Sequence, residues 1–133
     1  MASQPPCPPE PAIRVVMMPR DTNAVGTIFG GVLLSYIDQA AFIGAREVAA
    51  HRYVTVALNA VEFKEPVFVG DVLSFYAEPV KLGRTSMRMR IAVWAERFAS
   101  PGPRIRVTQA EVVLVAVDEN RRAIPITPRA DAR

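Results

Sequence analysis

Residues 30–50 read GGVLLSYIDQAAFIGAREVAA, and this stretch decides the fold. Apolar or small side chains occupy nearly every angle of its helical wheel as far as Ala45, a pattern typical of a helix that other structure surrounds. Asp38 breaks the pattern, and no cation lies one helical turn away from it. Because an unpaired carboxylate is costly to bury, we expect Asp38 to act as a general base or nucleophile. The alternative is a helix aspartate that meets solvent or a backbone amide across an interface.

The rest of the chain alternates in the manner of β-strands. Strands are predicted at residues 13–18, 54–64, 72–82, 87–95 and 105–117. Pro79 within the third of them predicts an edge or a bulge. Since consecutive strands with short, hairpin-like links favour antiparallel pairing, the sequence predicts an α+β fold, a five-stranded antiparallel sheet wrapped around one long central helix. One sheet would leave part of such an apolar helix uncovered, so a second chain is expected to pack nearby.

The two ends of the chain are predicted to lie outside the folded domain. Residues 1–11 hold five prolines and few apolar anchors, which predicts a disordered proline-rich tail. Residues 12–125 are predicted to form a single domain, and residues 126–133 a flexible C-terminal tail.

The composition limits the classes of function. The net charge is +3 and the basic residues are scattered, so the excess fits a small phosphorylated molecule as well as a nucleic acid. Cys7 and His51 are single residues of their kinds, which argues against an intrachain disulfide, a metal site and a reaction that needs an Asp/His pair. No cofactor is expected. No signal-peptide pattern and no membrane-length apolar stretch stands out, so a cytoplasmic location is the default expectation.

Three further motifs are candidates for chemistry. Gly30 and Gly31 at the helix start could offer backbone amides to an oxyanion, or could only allow tight packing. Asn23 could orient a water or a carbonyl, or could only form a turn. The turn at residues 83–86, Gly-Arg-Thr-Ser with Lys64 as a candidate neighbour, suits a phosphate, although a solvated hairpin tip is the commoner meaning. Because Asp38 lies about 10–12 Å along the axis from Gly31, another chain or a returning loop would have to complete one site.

Taken together, these motifs resemble the hotdog-fold acyl-CoA thioesterases, and most closely their YciA-like acyl-CoA hydrolase branch. The resemblance begins with the pattern MPxDTNxxGxIFGG at residues 18–31, followed by Asp38. Val-Thr-Val-Ala at residues 54–57, Phe63-x-x-Pro66, Val-Gly-Asp at residues 69–71 and the Gly-Arg-Thr-Ser turn then recur in the order and spacing of the family. The resemblance covers roughly residues 13–125, and the combination is far more specific than any one motif.

The resemblance implies hydrolysis of acyl-CoA to a free carboxylic acid and coenzyme A. It implies homodimers with continuous sheets, often assembled as trimers of dimers, and active sites at the dimer interface. Asp38 and Asn23 would come from opposite subunits, and the Gly31 amide would stabilise the oxyanion. Residues expected to contact the coenzyme A or acyl parts of the substrate are Gly30, Thr55, Lys64, Arg84, Thr85 and Ser86. Val25 and Thr27 replace polar residues that are common in the Asn23 loop of the family.

Three other interpretations remain open from the sequence. A non-catalytic acyl-CoA-binding sensor would share the fold, although the presence of both Asn23 and Asp38 argues against it. A hotdog dehydratase or hydratase would need a histidine with a carboxylate, and His51 is badly placed for that role. A nucleic-acid binder is a more distant option.

Overall fold

One antiparallel sheet of five strands curves around a single long helix. The computed structural model describes residues 10–129, so most of the proline-rich segment predicted as a tail lies outside the described residues. The helix, α1, spans Gly30–Val48, and a short 3-10 turn at Pro19–Asp21 precedes it. The strands are β1 (Ile13–Val16), β2 (Arg52–Phe63), β3 (Val72–Leu82), β4 (Ser86–Glu96) and β5 (Ile105–Val117). The predicted fold class is confirmed.

The strand order corrects the prediction that the strands after the helix follow one another as hairpins. The order is β1-β3-β4-β5-β2, and every neighbouring pair is antiparallel. β2 pairs with β5, with Arg52 opposite Val117 and Phe63 opposite Thr108, so it forms the edge opposite β1. The link at residues 64–71 therefore carries the chain from one edge of the sheet towards the other. A short link between two strands does not require that they pair as a hairpin, because the partner of a strand can lie far along the chain.

The helix lies against the inner face of the sheet. Its buried residues are Leu33, Ile37, Ala40, Ala41 and Ala45. The facing residues are fully buried on β3, β4 and β5: Leu73, Phe75, Met87, Met89, Ile91, Val93, Val112 and Leu114. Gly44 allows the close approach, since a Cβ atom there would lie 2.6 Å from the Cβ of Ala77. β4 thus turns Met87, Met89, Ile91 and Val93 inward, as expected of a strand with one buried face.

Three strand pairs depart from regular register, one of them β4 with β5 between Val93 and Trp94. The register of β3 shifts between Pro79 and Lys81, so the bulge alternative predicted from the proline is confirmed. β2 is irregular between Thr55 and Ala57 and again between Asn59 and Glu62, where Ala60 adopts a φ of 51°. Such a backbone conformation is uncommon for a residue with a side chain, and bulges bend the strand that carries them.

A buried carboxylate fixes the turn that leads into β3. Asp71 accepts hydrogen bonds from Arg97 Nη1 at 2.7 Å and from the Phe68 and Phe98 amides at 3.0 and 3.1 Å. Its side chain is only 2% exposed, and that of Arg97 is 17% exposed. The turn before β3 is therefore tied to the chain that leaves β4.

The C-terminal strap, residues 124–129, returns along the end of the sheet that carries the β3–β4 turn. Amides of the strap donate to the carbonyls of Ala116, Arg84 and Val48. Residues 126–129, which the sequence assigned to a flexible tail, therefore contact a strand-linking turn and the end of the helix. Within the part of the chain that the structure describes, no helix has the length and apolar character to cross a membrane.

Candidate active site

Asp38 and Thr55 form the central contact of the candidate site. The Thr55 hydroxyl on β2 donates to Oδ1 of Asp38 at a distance of 2.5 Å, a length typical of a charge-assisted O–H···O⁻ bond. The sequence assigned Thr55 to substrate contact and left Asp38 without a partner, because helical spacing indicates neighbours on the same helix alone. The alternation of β2 was the missed signal, since it turns both Tyr53 and Thr55 towards the helix.

A surface groove of about 490 Å³ opens beside this pair. Its lining residues are Asp38, Gln39, Phe42, Ile43, Tyr53, Val54 and Thr55. A volume of this order is within the range of small-molecule sites, and apolar walls with one convergent polar pair are typical of them. Because β2 is an edge strand, the groove lies along an open edge of the sheet.

Tyr53 forms an uncharged wall of this groove. Its hydroxyl donates to the Ala49 carbonyl at 2.8 Å, just past the end of α1. Burial raises the pKa of the Tyr53 phenol, and the nearby Arg46 charge acts in the opposite direction. The phenol therefore stays protonated at neutral pH and keeps its hydrogen bond.

At the start of α1, the first backbone amides have no side-chain cap, and the space beside Gly31 is open. Phe29 is the N-cap residue and makes no side-chain capping bond, so the first amides of α1 lack a cap from it. A Cβ atom on Gly31 would meet nothing within 4 Å, whereas one on Gly30 would lie 3.1 Å from the Phe63 ring. Gly30 thus makes room for an aromatic ring, and the backbone at Gly31 is open to a ligand.

A second groove, of about 350 Å³, lies beside this helix start. Gly30, Phe63 and Lys64 all line it, together with Thr27 and Leu33. The helix runs without interruption from Gly30 past Asp38, so its rise separates Gly31 from Asp38 by about 10 Å. One chain therefore holds two separate half-sites, one around Asp38 and Thr55 and the other around the helix start and Lys64.

Asn23 organises the loop that precedes the helix. Its Oδ1 accepts hydrogen bonds from the Val25 amide at 2.9 Å and the Thr27 amide at 3.1 Å. Its Nδ2 donates to the Thr27 hydroxyl at 2.8 Å. Within one chain Asn23 thus has the turn-forming role that the sequence left open. An amide nitrogen carries two donors, and Thr27 takes one of them.

The Gly-Arg-Thr-Ser turn lies at the far end of the molecule from the helix start. Ser86 is opposite Val115 on β5, and Val115 is opposite Val54 on β2. Two strand spacings, about 10 Å, therefore separate Ser86 from Val54, the neighbour of Thr55. The structure brings Arg84, Thr85 and Ser86 to the same end of the sheet as the Asp38 half-site, and it leaves them apart from Gly30, Gly31 and Lys64.

His51 lines neither groove and contacts the C-terminal strap instead. It follows the end of α1, and its Nε2 accepts a hydrogen bond from the Thr127 amide at 3.0 Å. Over residues 10–129, no group of three or more His, Cys, Asp or Glu side chains is arranged to hold a metal ion.

Comparison with known proteins shows the family of the chain. The sequence model of the family described as "Thioesterase superfamily" matches residues 25–97. The chain is 44% identical over 119 residues to the acyl-CoA thioester hydrolase YciA of Salmonella typhimurium, which covers 88% of this chain and 90% of that protein.

Solved structures give the same result for the fold. A hexameric hotdog-fold thioesterase of Campylobacter jejuni is 44% identical, with a TM-score of 0.84 and coverage of 90% of this chain and 91% of the other. A hexameric broad-specificity acyl-coenzyme A thioesterase, solved as an aspartate-to-alanine mutant, is 40% identical, with a TM-score of 0.86 and coverage of 93% and 90%. The sheet and helix described above are therefore a hotdog fold.

Proposed function

We propose a residue-level mechanism for this chain, which belongs to the thioesterase superfamily and is an acyl-CoA thioester hydrolase. The reaction converts an acyl-CoA and water to a free carboxylic acid and coenzyme A. The observation that carries the mechanism is the bond between Thr55 and Asp38 at the edge of an apolar-walled groove. A carboxylate held in this way can accept a proton from a water that attacks a thioester bound in the groove.

Asp38 is the proposed general base. Thr55 occupies Oδ1, so Oδ2 takes the proton as the water oxygen bonds to the thioester carbonyl carbon. The tetrahedral intermediate then collapses, the C–S bond breaks, and the coenzyme A thiolate leaves and is protonated. Thioesters have weak resonance stabilisation and a good leaving group, so a carboxylate base is chemically sufficient. In the alternative route, Asp38 attacks the carbonyl directly and water hydrolyses the mixed anhydride.

A second copy of the chain is proposed to complete the site. The free edge of β2 carries unpaired backbone groups and exposed apolar side chains, and such an edge is ready to pair with another strand. Val54 and Val56 are exposed on β2, and Phe42 and Ile43 are exposed on the neighbouring helix face. Pairing of two β2 edges would cover these side chains and place the half-sites of two chains together.

In that dimer, Asn23 and Gly31 of the partner subunit are proposed to face Asp38. The second Nδ2 donor of Asn23 would orient the water or the carbonyl. The Gly31 amide, at the positive end of its helix, would stabilise the negative charge that develops on the carbonyl oxygen. The roughly 10 Å between Gly31 and Asp38 in one chain is the reason that the partner has to supply these groups.

The Gly-Arg-Thr-Ser turn is proposed to bind phosphates of coenzyme A. Arginines cluster at this end of the molecule, and guanidinium groups suit phosphate because they offer paired donors. The exposed arginines near the turn, the end of α1 and the end of β5 are Arg46, Arg52, Arg84, Arg121, Arg122 and Arg129. Lys64 and Gly30 are proposed to contact the substrate from the other half-site.

The proposed assembly is a homodimer, three of which form a hexamer, in line with the hexameric thioesterases described above. The proposed domain comprises residues 12–125 together with residues 126–129 of the strap that packs on it, and the proposed location is the cytoplasm. No cofactor is needed for the reaction written here.

The direct test is release of free thiol from a panel of acyl-CoA substrates of increasing chain length. The wild-type protein is expected to release coenzyme A, and Asp38→Asn is expected to lose 10²–10⁴-fold in rate, the typical contribution of a general base. Glu47→Gln is the matched control, since it removes an exposed carboxylate from the same helix. A fully active Asp38→Asn protein of normal assembly would exclude Asp38 as the base.

A further inference from the structure

The C-terminal strap begins at the β5 end and reaches the Gly-Arg-Thr-Ser turn. The Ile124 amide donates to the Ala116 carbonyl at 2.9 Å, which extends the β5 ladder by one bond. The Ile126 amide then donates to the Arg84 carbonyl at 2.8 Å. Both isoleucine side chains pack against the core, so the strap is anchored by burial as well as by hydrogen bonds.

The C-terminal end of the strap contacts the C-terminal end of α1. The Arg129 amide donates to the Val48 carbonyl at 2.8 Å, and its Nε donates to the Arg46 carbonyl at 3.1 Å. Between these contacts, the Thr127 amide donates to His51 Nε2 at 3.0 Å. The last carbonyls of a helix lack intrahelical partners, and here a residue far along the chain supplies donors to two of them. The strap thus connects the Arg84 turn to the C-terminal end of α1.

The turn has few other restraints on its backbone. The Gly83 amide donates to the Ser86 carbonyl at 2.8 Å, and the Ala116 amide donates to the Thr85 carbonyl at 2.9 Å. The carbonyl of Arg84, the residue whose guanidinium is exposed at the tip, is held by the strap alone among the backbone contacts of the described residues. The direction in which Arg84 leaves the turn therefore depends on the strap.

We propose that the C-terminal strap is a positioning element for the phosphate-binding turn. It fixes the Arg84 backbone against the helix end, so that the guanidinium is already oriented when the phosphates of an acyl-CoA arrive. This inference rests on the proposed phosphate contact of Arg84. A preorganised donor loses less conformational entropy on binding, so the strap strengthens substrate binding and leaves the thioester chemistry at Asp38 unchanged.

The experiment compares Ile126→Pro with Ile126→Ala. Both variants lose the isoleucine side chain, and only the proline variant loses the N–H that donates to Arg84. Each is assayed on an acyl-CoA and on the same acyl group carried by N-acetylcysteamine, a thioester without phosphates. Relative to Ile126→Ala, the proline variant is expected to raise the KM for the acyl-CoA roughly tenfold, with kcat unchanged, as expected when a hydrogen bond to a charged group weakens. Its kcat/KM for the N-acetylcysteamine thioester is expected to stay the same.

A double mutant identifies the route of the effect. If the strap acts through Arg84, then Arg84→Ala and Arg84→Ala/Ile126→Pro have the same KM for the acyl-CoA. Equal losses on both substrates, or additive losses in the double mutant, would overturn the proposal, because a general structural role predicts them. If Ile126→Pro does not assemble, Thr127→Pro replaces it and is compared with Thr127→Ala, since only the proline variant loses the N–H that donates to His51 and every arginine stays in place. A smaller increase in the same KM is then expected, and no increase would overturn the proposal. A wild-type protein that releases no thiol from any acyl-CoA would instead refute the proposed function.

Discussion

The hydroxyl of Thr55 lies 2.5 Å from Oδ1 of Asp38 and joins the edge strand of the sheet to the middle of the helix. One bond thereby orients the carboxylate, and it comes from the same strand whose free edge is proposed to pair with a second subunit. In the proposed dimer, the chemistry of Asp38 and the assembly of the protein are therefore linked through β2.

Replacing Thr55 with valine is expected to lower kcat. Valine keeps the shape of threonine and removes the donor, so Asp38 loses a hydrogen bond worth about 1.5–3 kcal/mol, which corresponds to roughly tenfold to a hundredfold in rate if the bond orients the base. Steady-state kinetics on an acyl-CoA measure the change. Thr55→Ser restores the hydroxyl and is expected to retain most of the activity; a valine variant with the wild-type rate would show that the bond does not serve catalysis.

Replacing Val56 with lysine is expected to prevent pairing of β2 edges. Val56 is 56% exposed at the β2 irregularity, and a charge on an edge strand opposes edge-to-edge pairing. Sedimentation is expected to show a smaller assembly, and the thiol-release assay a loss of activity. Val80→Lys makes the same change at an exposed position of β3 and is expected to preserve both. An active, fully assembled Val56→Lys protein would contradict the proposed interface.

Replacing Gly44 with alanine is expected to destabilise the fold. The new Cβ would lie 2.6 Å from the Ala77 Cβ and 2.8 Å from the Met89 methyl carbon. Since Ala77 has no flexible end that can move aside, the helix and β3 must separate, at a cost of about 1–3 kcal/mol in the free energy of unfolding. Gly102→Ala is the control, because nothing lies within 4 Å of its Cβ position and the residue lies in an exposed loop. Urea denaturation at one protein concentration compares the two, and equal stabilities would refute the close-packing argument.

Replacing Asp71 with asparagine is expected to cost about 3 kcal/mol of stability. The change leaves the half-buried Arg97 without its anionic partner and weakens the bonds from two backbone amides. Thermal unfolding measures the loss. Glu96→Gln is the matched control, because Glu96 is exposed and lies 3.8 Å from Arg104, so its ion pair is worth about 1 kcal/mol or less. Similar losses in the two variants would mean that burial does not strengthen the Asp71 contact.

The limits of most elements could be predicted from local sequence signals. The bounds predicted for β3 and β5 are those observed. Glycine, proline and acidic residues lie next to the ends of these strands, and the side chains between the ends follow the alternation of a strand. The helix begins at Gly30 as predicted and ends at Val48, two residues early, because Ala49 turns to an extended backbone while its amide still bonds to Ala45.

Contacts between distant segments could not be predicted in the same way. The position of β2 beside β5 and the bond from Thr55 to Asp38 both depend on how separate elements meet. Periodicity indicates which side chains of a strand turn towards the helix, but it does not indicate which residue of another element they meet. The contacts of the strap with His51 and Arg84 were missed for a different reason. They use backbone amides, which every residue except proline possesses, so the sequence gives no special signal for them.

The strand order has a consequence for the timing of folding. β2 forms its ladder with β5, which the ribosome makes later, after β3 and β4. Until β5 emerges, β2 lacks the strand with which it pairs in the sheet, and a non-local pairing of this kind slows folding. The order predicts that β2, and with it the Thr55 contact to Asp38, becomes fixed late, so a nascent chain cannot complete the proposed Asp38 half-site before nearly all of the domain has been synthesised.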